Sequence, residues 1–101
     1  MQPHRIGEII ADRPFHLLDQ PGNEVRLLIG RPRPAEEGDD WCCPYQILGV
    51  GDEIVRAGMG VDALQALQLV ITKAVPAWLA KLLEENPSLR WEDAEYGDFG
   101  L

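Results

Sequence analysis

The sequence predicts an α+β fold: a four-stranded antiparallel β-meander packed against one long C-terminal α-helix, with an acidic, aromatic-bearing tail behind it. Three observations carry this expectation. Short apolar runs fill the first half of the chain, several alternating at a period of two, each closed by Gly, Pro, Asn or Asp. A stretch with apolar residues every three or four positions follows, bounded by a capping residue and a proline stop. The chain has 101 residues, 46% hydrophobic and 26% charged, which suits one domain with a modest core.

The first strand is expected near 8–18, opening on the β-branched Ile9-Ile10. Pro14 donates no ladder hydrogen bond, so this strand bends there or lies at an edge. Asp19-Gln20-Pro21-Gly22-Asn23 predicts a five-residue turn, because Pro fixes φ while Gly and Asn tolerate positive φ. The second strand, 24–30, buries Val25, Leu27 and Ile29 on one face. Polar residues from Arg31 to Asp40 predict the longest loop. The third strand, 41–50, places Trp41, Cys43, Tyr45 and Ile47 on one face, with Cys42, Gln46 and Leu48 on the other. Gly51-Asp52 then turns the chain into a short fourth strand, 53–57. Hairpin connections in succession imply an antiparallel meander.

Gly58-Met59-Gly60-Val61 ends the β pattern. Asp62 is a good N-cap with Gln65 at capping-box spacing, so the helix is expected over 62–85, stopping before Asn86-Pro87. Leu64, Leu67, Ile71, Ala74, Trp78 and Leu82 form the stripe expected to face the sheet, widened by Val70, Val75, Leu79 and Leu83. Gln65, Gln68 and Thr72 mark the solvent side. Pro76 cannot donate to the Thr72 carbonyl, so a kink or break is expected near Val75. Beyond the helix, Leu89, Trp91, Tyr96, Phe99 and Leu101 are too many apolar groups for a free tail, and part of it is expected to dock.

Seventeen Asp and Glu against nine Lys and Arg give a net charge of −8. Nucleic-acid binding needs cations to neutralise phosphate, so it is not expected here. The imbalance is concentrated at the end: from Glu84 to Leu101 six acids face Arg90 alone. That segment is either a solubilising surface or a lure for a basic partner. No uninterrupted apolar run approaches the roughly 18 residues that span a bilayer, and residues 1–5 lack the features of a signal peptide. A cytoplasmic protein without a membrane role is therefore expected. The adjacent Cys42 and Cys43 cannot frame a disulfide scaffold, which agrees.

Residues able to carry chemistry do not converge in the sequence. Neighbouring strand residues point to opposite faces, so Cys42 and Cys43 cannot chelate one metal without distortion, and His4 and His16 are the only histidines. A Cys–His catalytic pair would require the first and third strands to be neighbours. Gly58-x-Gly60 before a helix resembles half of a phosphate loop, but Asp62 occupies the cap and no Walker residues follow. Asp39, Asp40, Asp52 and Glu53 are loop carboxylates able to hold a cation or a proton, though most such acids are simply solvated. Arg31-Pro32-Arg33 spaces two guanidiniums that could grip an anion or pair internally. No catalytic, cofactor or metal residue is assigned.

Several stretches together resemble a family of small bacterial domains catalogued only as a domain of unknown function. They are Ile10-Ala11-Asp12-Arg13, Ile29-Gly30-Arg31-Pro32, Trp41-Cys42-Cys43-Pro44-Tyr45-Gln46-Ile47-Leu48-Gly49, Gly60-Val61-Asp62-Ala63-Leu64-Gln65-Ala66-Leu67 and Tyr96-Gly97-Asp98-Phe99-Gly100. The resemblance spans most of the chain and implies no activity.

The functional expectation is a small acidic protein–protein interaction module, including immunity- or inhibitor-type proteins that neutralise a basic target. The alternative is a small-molecule-binding or enzymatic domain using a groove between helix and sheet, with Trp41, Tyr45, His16 and Arg31 nearby. The residues expected to face a partner or ligand are Arg31, Arg33, Trp41, Tyr45, Trp91, Tyr96 and Phe99. Monomer and homodimer are both open, and the breadth of the apolar helix favours the dimer.

Overall fold

The structure, a computed structural model, describes residues 5–101. His4, considered as a metal ligand, lies outside the described residues. β1 (Ile9–Leu17) and β2 (Gln20–Gly30) form an antiparallel hairpin. Its turn is tighter than expected, because Leu18 and Asp19 make it alone and Leu17 pairs with Gln20. Pro21, Gly22 and Asn23 fall instead in a register shift between the Leu17–Gln20 and His16–Glu24 pairs. A bulge accommodates Pro and Gly as readily as a loop does, since the ladder is interrupted there anyway.

β3 (Arg33–Pro34) is a short strand inside the segment read as loop. β4 (Trp41–Leu48) ends two residues earlier than expected. It takes β2 and then β3 along one edge and β5 (Arg56–Gly60) along the other. The fourth expected strand thus lies three residues later than 53–57. Asp52 and Glu53 belong to the turn: Asp52 Oδ1 accepts the Ile54 N–H at 3.0 Å, and Glu53 sits at a φ of 60°. Gly58 and Gly60, read as strand breakers, are inside β5 because the helix lies against them. A Cβ on Gly60 would stand 2.5 Å from the Ala66 nitrogen, and one on Gly58 2.7 Å from Val70 Cγ2.

The meander therefore has the expected order, and the sheet has six strands rather than four among the described residues. The sixth, β6 (Leu89–Arg90), pairs with His16 and Leu17 on the outer edge of β1. That pairing meets the expectation that part of the tail docks.

One helix runs from Ala63 to Glu85 as α1 (Ala63–Leu69), a π-turn (Val70–Ala74) and α2 (Val75–Glu85). Asp62 caps it by accepting the Gln65 N–H at 2.8 Å, and Gln65 Oε1 reaches back to the Val61 N–H at 2.8 Å. Pro76 does not break the helix. Its ring crowds the preceding turn, and that turn widens by one residue, so the Val75 N–H donates to the Val70 carbonyl, five residues back.

The widened turn changes which side chains face inward. Ala66, Val70, Val75, Leu79, Leu82 and Leu83 are buried, and Val70 and Val75 can share the inward face at a spacing of five because of the π-turn. They pack on Val25, Leu27 and Ile29 of β2 and on Cys43, Tyr45 and Ile47 of β4. Of the stripe expected to face the sheet, Leu82 is buried, as are the four residues expected to widen it, but the others do not point fully inward. Leu64 is 63% exposed and Ile71 37%, while Leu67, Ala74 and Trp78 are only half-buried at the margin of the core. A uniform 3.6-residue period selects that stripe, and the extra residue in the π-turn rotates it away from the sheet.

Candidate functional site

The tail is held by an arginine. Arg13, on β1, stacks against Trp91 at 4.5 Å and donates from Nη1 to the carbonyls of Phe99 at 2.9 Å and Gly100 at 3.1 Å. Phe99 meets Phe15 edge-on, with ring centroids 5.4 Å apart. Phe99 is buried and Trp91 half-buried, so both expected partner-facing aromatics serve the interior. Tyr96 stays 61% exposed, with the Arg90 guanidinium 5.2 Å from its ring centroid. Glu92, Asp93, Glu95 and Asp98 all face solvent.

Arg31 and Arg33 do not converge on one point. Arg31 Nη1 approaches Glu8 at 3.3 Å, while Arg33 Nη2 donates to the Arg5 carbonyl at 2.8 Å. Trp41 is half-buried against the core. Tyr45 is buried, which removes it from any contact surface, and burial pushes its hydroxyl pKa up against a smaller opposing pull from Arg56. β2 lies between β1 and β4, so His16 pairs with Glu24 and Arg90 rather than standing beside a cysteine. Both cysteines are buried and unbridged. The Cys43 thiol donates to the Gly30 carbonyl at 3.5 Å; burial, with Cys42 adjacent, pushes its pKa up to about 11. No group of three metal-ligating side chains gathers among the described residues.

Of the loop acids, Asp39 and Asp40 are exposed to solvent, whereas Asp52 and Glu53 have structural work. Asp52 accepts two hydrogen bonds from Arg56, at 2.9 and 2.8 Å, and that guanidinium holds its carboxyl down at about 2. Arg56 in turn lies 3.7 Å over the Trp78 ring, with Lys81 Nζ 5.8 Å from the same ring. A cation–π contact of this kind contributes about 0.5–1 kcal/mol at an exposed site and more when desolvated. Glu53 accepts the Gly49 N–H at 2.7 Å, and its carbonyl accepts from Gln46 at 2.8 Å. The four polar groups fix the β4–β5 turn and roof one end of the helix.

What is left open is apolar. Val61, just before the helix, is 70% exposed; along the helix Leu64 is 63% and Ile71 37% exposed, with half-buried Leu67 between these two in sequence. The neighbouring exposed side chains, Gln65, Gln68 and Thr72, carry no charge. The helix is long and apolar enough to cross a membrane by composition, a property that counting unbroken apolar runs misses. Its most apolar 18-residue window has a mean hydropathy of 1.4, and only 33% of that window is buried. Sequence reasoning missed this surface by assigning it to the core. The available signal was the five-residue spacing of Val70 and Val75 just before Pro76, which accommodates a second apolar stripe beside the first. A separate cleft of about 230 Å³ lies between α2 and the tail, lined by Pro76, Leu79, Ala80, Leu83, Phe99 and Leu101 among others.

The family profile described as "Domain of unknown function (DUF6968)" matches residues 11–101, and the chain belongs to that family. No curated protein and no solved structure matches the chain.

Proposed function

We propose that this member of a family of unknown function is a protein-interaction module of the cytoplasm, docking through the apolar outer face of the helix around Val61, Leu64, Leu67 and Ile71. One observation carries the reading: a chain of net charge −8 leaves this uncharged apolar face uncovered. Apolar groups scattered singly over a surface need no explanation, whereas a contiguous group on one element marks a contact surface. The exposed acids of the tail add a long-range preference for partners that are not themselves acidic, and a basic target of an immunity- or inhibitor-type protein fits that preference.

The alternative of a small-molecule or catalytic domain has less support. The cleft of about 230 Å³ falls under the roughly 300–1,000 Å³ usual for ligand sites. Its lining side chains are apolar and offer no polar anchor for orienting a substrate.

Photo-crosslinking in cells that express the protein natively tests the reading. A crosslinking residue at position 64 or 71 is expected to give a discrete protein adduct, and one at the exposed loop position Glu37 none. Equal labelling at all three positions, or no adduct at 64 and 71, would refute a docking role for the helix.

A further inference from the structure

We infer that, independently of what docks on the helix face, residues 92–101 are a strap that opens and closes on an otherwise folded body, hinged at Glu92 and latched by Arg13.

The hydrogen bonds of the strap are its own. The Ala94 N–H donates to the Trp91 carbonyl at 2.9 Å, the Asp98 N–H to the Glu95 carbonyl at 3.0 Å and the Gly100 N–H to Asp98 Oδ1 at 3.0 Å. All three are local, and among the described residues no backbone hydrogen bond joins the strap to a strand or helix. Pairing of the tail with β1 stops at Arg90. Two residues on, Glu92 takes a φ of 49°, a conformation that a non-glycine residue holds only where its surroundings enforce it. Segments with few backbone links to the core open at free energies below that of global unfolding.

What closes the strap is concentrated at its far end. Arg13 Nη1 reaches the Phe99 and Gly100 carbonyls while the same guanidinium lies on Trp91. Gly100 is seated so tightly that a Cβ on it would stand 2.5 Å from the Trp91 ring and 2.7 Å from Arg13 Nη1. Trp91 and Gly100 therefore meet, and the chain between them closes an Ω-shaped loop over one arginine. Phe99 supplies the only buried side chain of the strap, set against Phe15. Elsewhere the fit is loose. The cleft of about 230 Å³ separates the strap from α2 beside Leu79 and Leu83. None of the strap's acids forms an ion pair among the described residues, and exposed Tyr96 meets only the Arg90 guanidinium, 5.2 Å from its ring centroid. Opening takes Phe99 off Phe15 and bares the cleft side of Leu79 and Leu83, so the strap switches apolar surface between covered and open.

Native-state hydrogen exchange of the full chain, read by NMR at low urea concentrations, tests this. The Asp98 and Gly100 amides are expected to be protected, yet to exchange through an opening with little urea dependence, because it exposes little surface. The Leu27 amide of central β2 is expected to follow global unfolding. Arg13→Ala is expected to speed exchange at Asp98 and Gly100, relative to Leu27, by about tenfold or more, the effect of losing two hydrogen bonds. Gly100→Ala wedges the latch from the strap side and leaves the body untouched, so it is expected to do the same even if Arg13→Ala fails to fold. Gly97→Ala bears a similar left-handed backbone, with φ of 84° against 76°, but meets nothing within 4 Å and is expected to have the smaller effect. Strap amides that follow global unfolding together with Leu27 overturn the inference, because the tail is then part of the cooperative core. A wild-type strap without protection overturns it too, since nothing is then latched. Equal effects of Gly97→Ala and Gly100→Ala do the same, because backbone strain rather than the Arg13 contact then explains the release.

Discussion

Leu82 and Leu64 lie on the same helix, are identical in chemistry, and differ in what covers them. Leu82 is fully buried, and its Cδ2 approaches so close to Gly51 that a Cβ there would stand 2.7 Å away. Leu82→Ala removes three buried carbon atoms and leaves a cavity whose walls include a hairpin turn fixed by Glu53 and Asp52. The expected cost is about 2–5 kcal/mol, transfer plus cavity. A chain of this size has roughly 5–15 kcal/mol to lose. At about 4–8 °C per kcal/mol, a loss of about 3 kcal/mol lowers Tm by roughly 12–24 °C. Leu64→Ala deletes a side chain that is mostly in water already, and alanine is the better helix former, so its cost stays within about 0.5 kcal/mol. Urea unfolding followed by circular dichroism distinguishes the two. It should be run near 1 μM, because any association through Leu64 would otherwise add to the apparent stability. The assignment of faces is refuted if Leu64→Ala costs more than about 2 kcal/mol while Leu82→Ala costs less than about 1 kcal/mol.

Gly60→Ala is expected to destabilise by about 1–3 kcal/mol, since the added methyl meets helix backbone that cannot turn aside. Gly22→Ala meets nothing within 4 Å and should stay within about 1 kcal/mol of wild type, so equal losses in denaturant melts would contradict the close contact. Asp52 has its pKa lowered from 3.8 to about 2 in the folded chain, so the stability it contributes is fully present above pH 4 and lost as pH falls towards 2. The gap between wild type and Asp52→Asn should therefore close over that window in acid titrations of urea unfolding; a gap that stays constant would show that the Arg56 pairing is not its source.

The meander was legible because its signals are local. Alternation in Val25-Leu27-Ile29 and Cys43-Tyr45-Ile47 assigns the inner face correctly, and those residues belong to the core cluster, although Leu28 and Cys42 of the opposite face are buried as well. The capping box at Asp62 and the stop at Asn86-Pro87 locate the helix to within a residue. What failed depended on contacts between distant segments. Gly58 and Gly60 read as breakers because nothing nearby reveals that a helix will lie against them. Pro76 announces a disturbance but not its kind, and a π-turn and a kink put different side chains inward. The same ambiguity hid the exposed stripe, since an apolar helical repeat states that a face will be covered without stating by what. Of the partner-facing residues named from sequence, Tyr45 and Phe99 are buried for the reason that made them conspicuous, their apolar bulk. Arg13 and Arg56 were overlooked because a lone arginine carries no motif, although each anchors an aromatic ring.

The Arg13 clamp also sets an order of events during synthesis. β1 and β2 are adjacent in sequence and can pair as soon as both have emerged. The other edge of β1 waits for Leu89 and Arg90, and the Arg13–Phe99 contact spans a sequence separation of 86. Contacts of that range close late and slow the folding of a chain. Until then Phe15 and Leu17 lack Leu89 and Phe99 as neighbours, and the edge of β1 remains a free template for another strand. A nascent chain therefore carries this edge uncovered until Leu89 and Arg90 have emerged, and the tail that then pairs with His16 and Leu17 brings four solvent-facing acids with it.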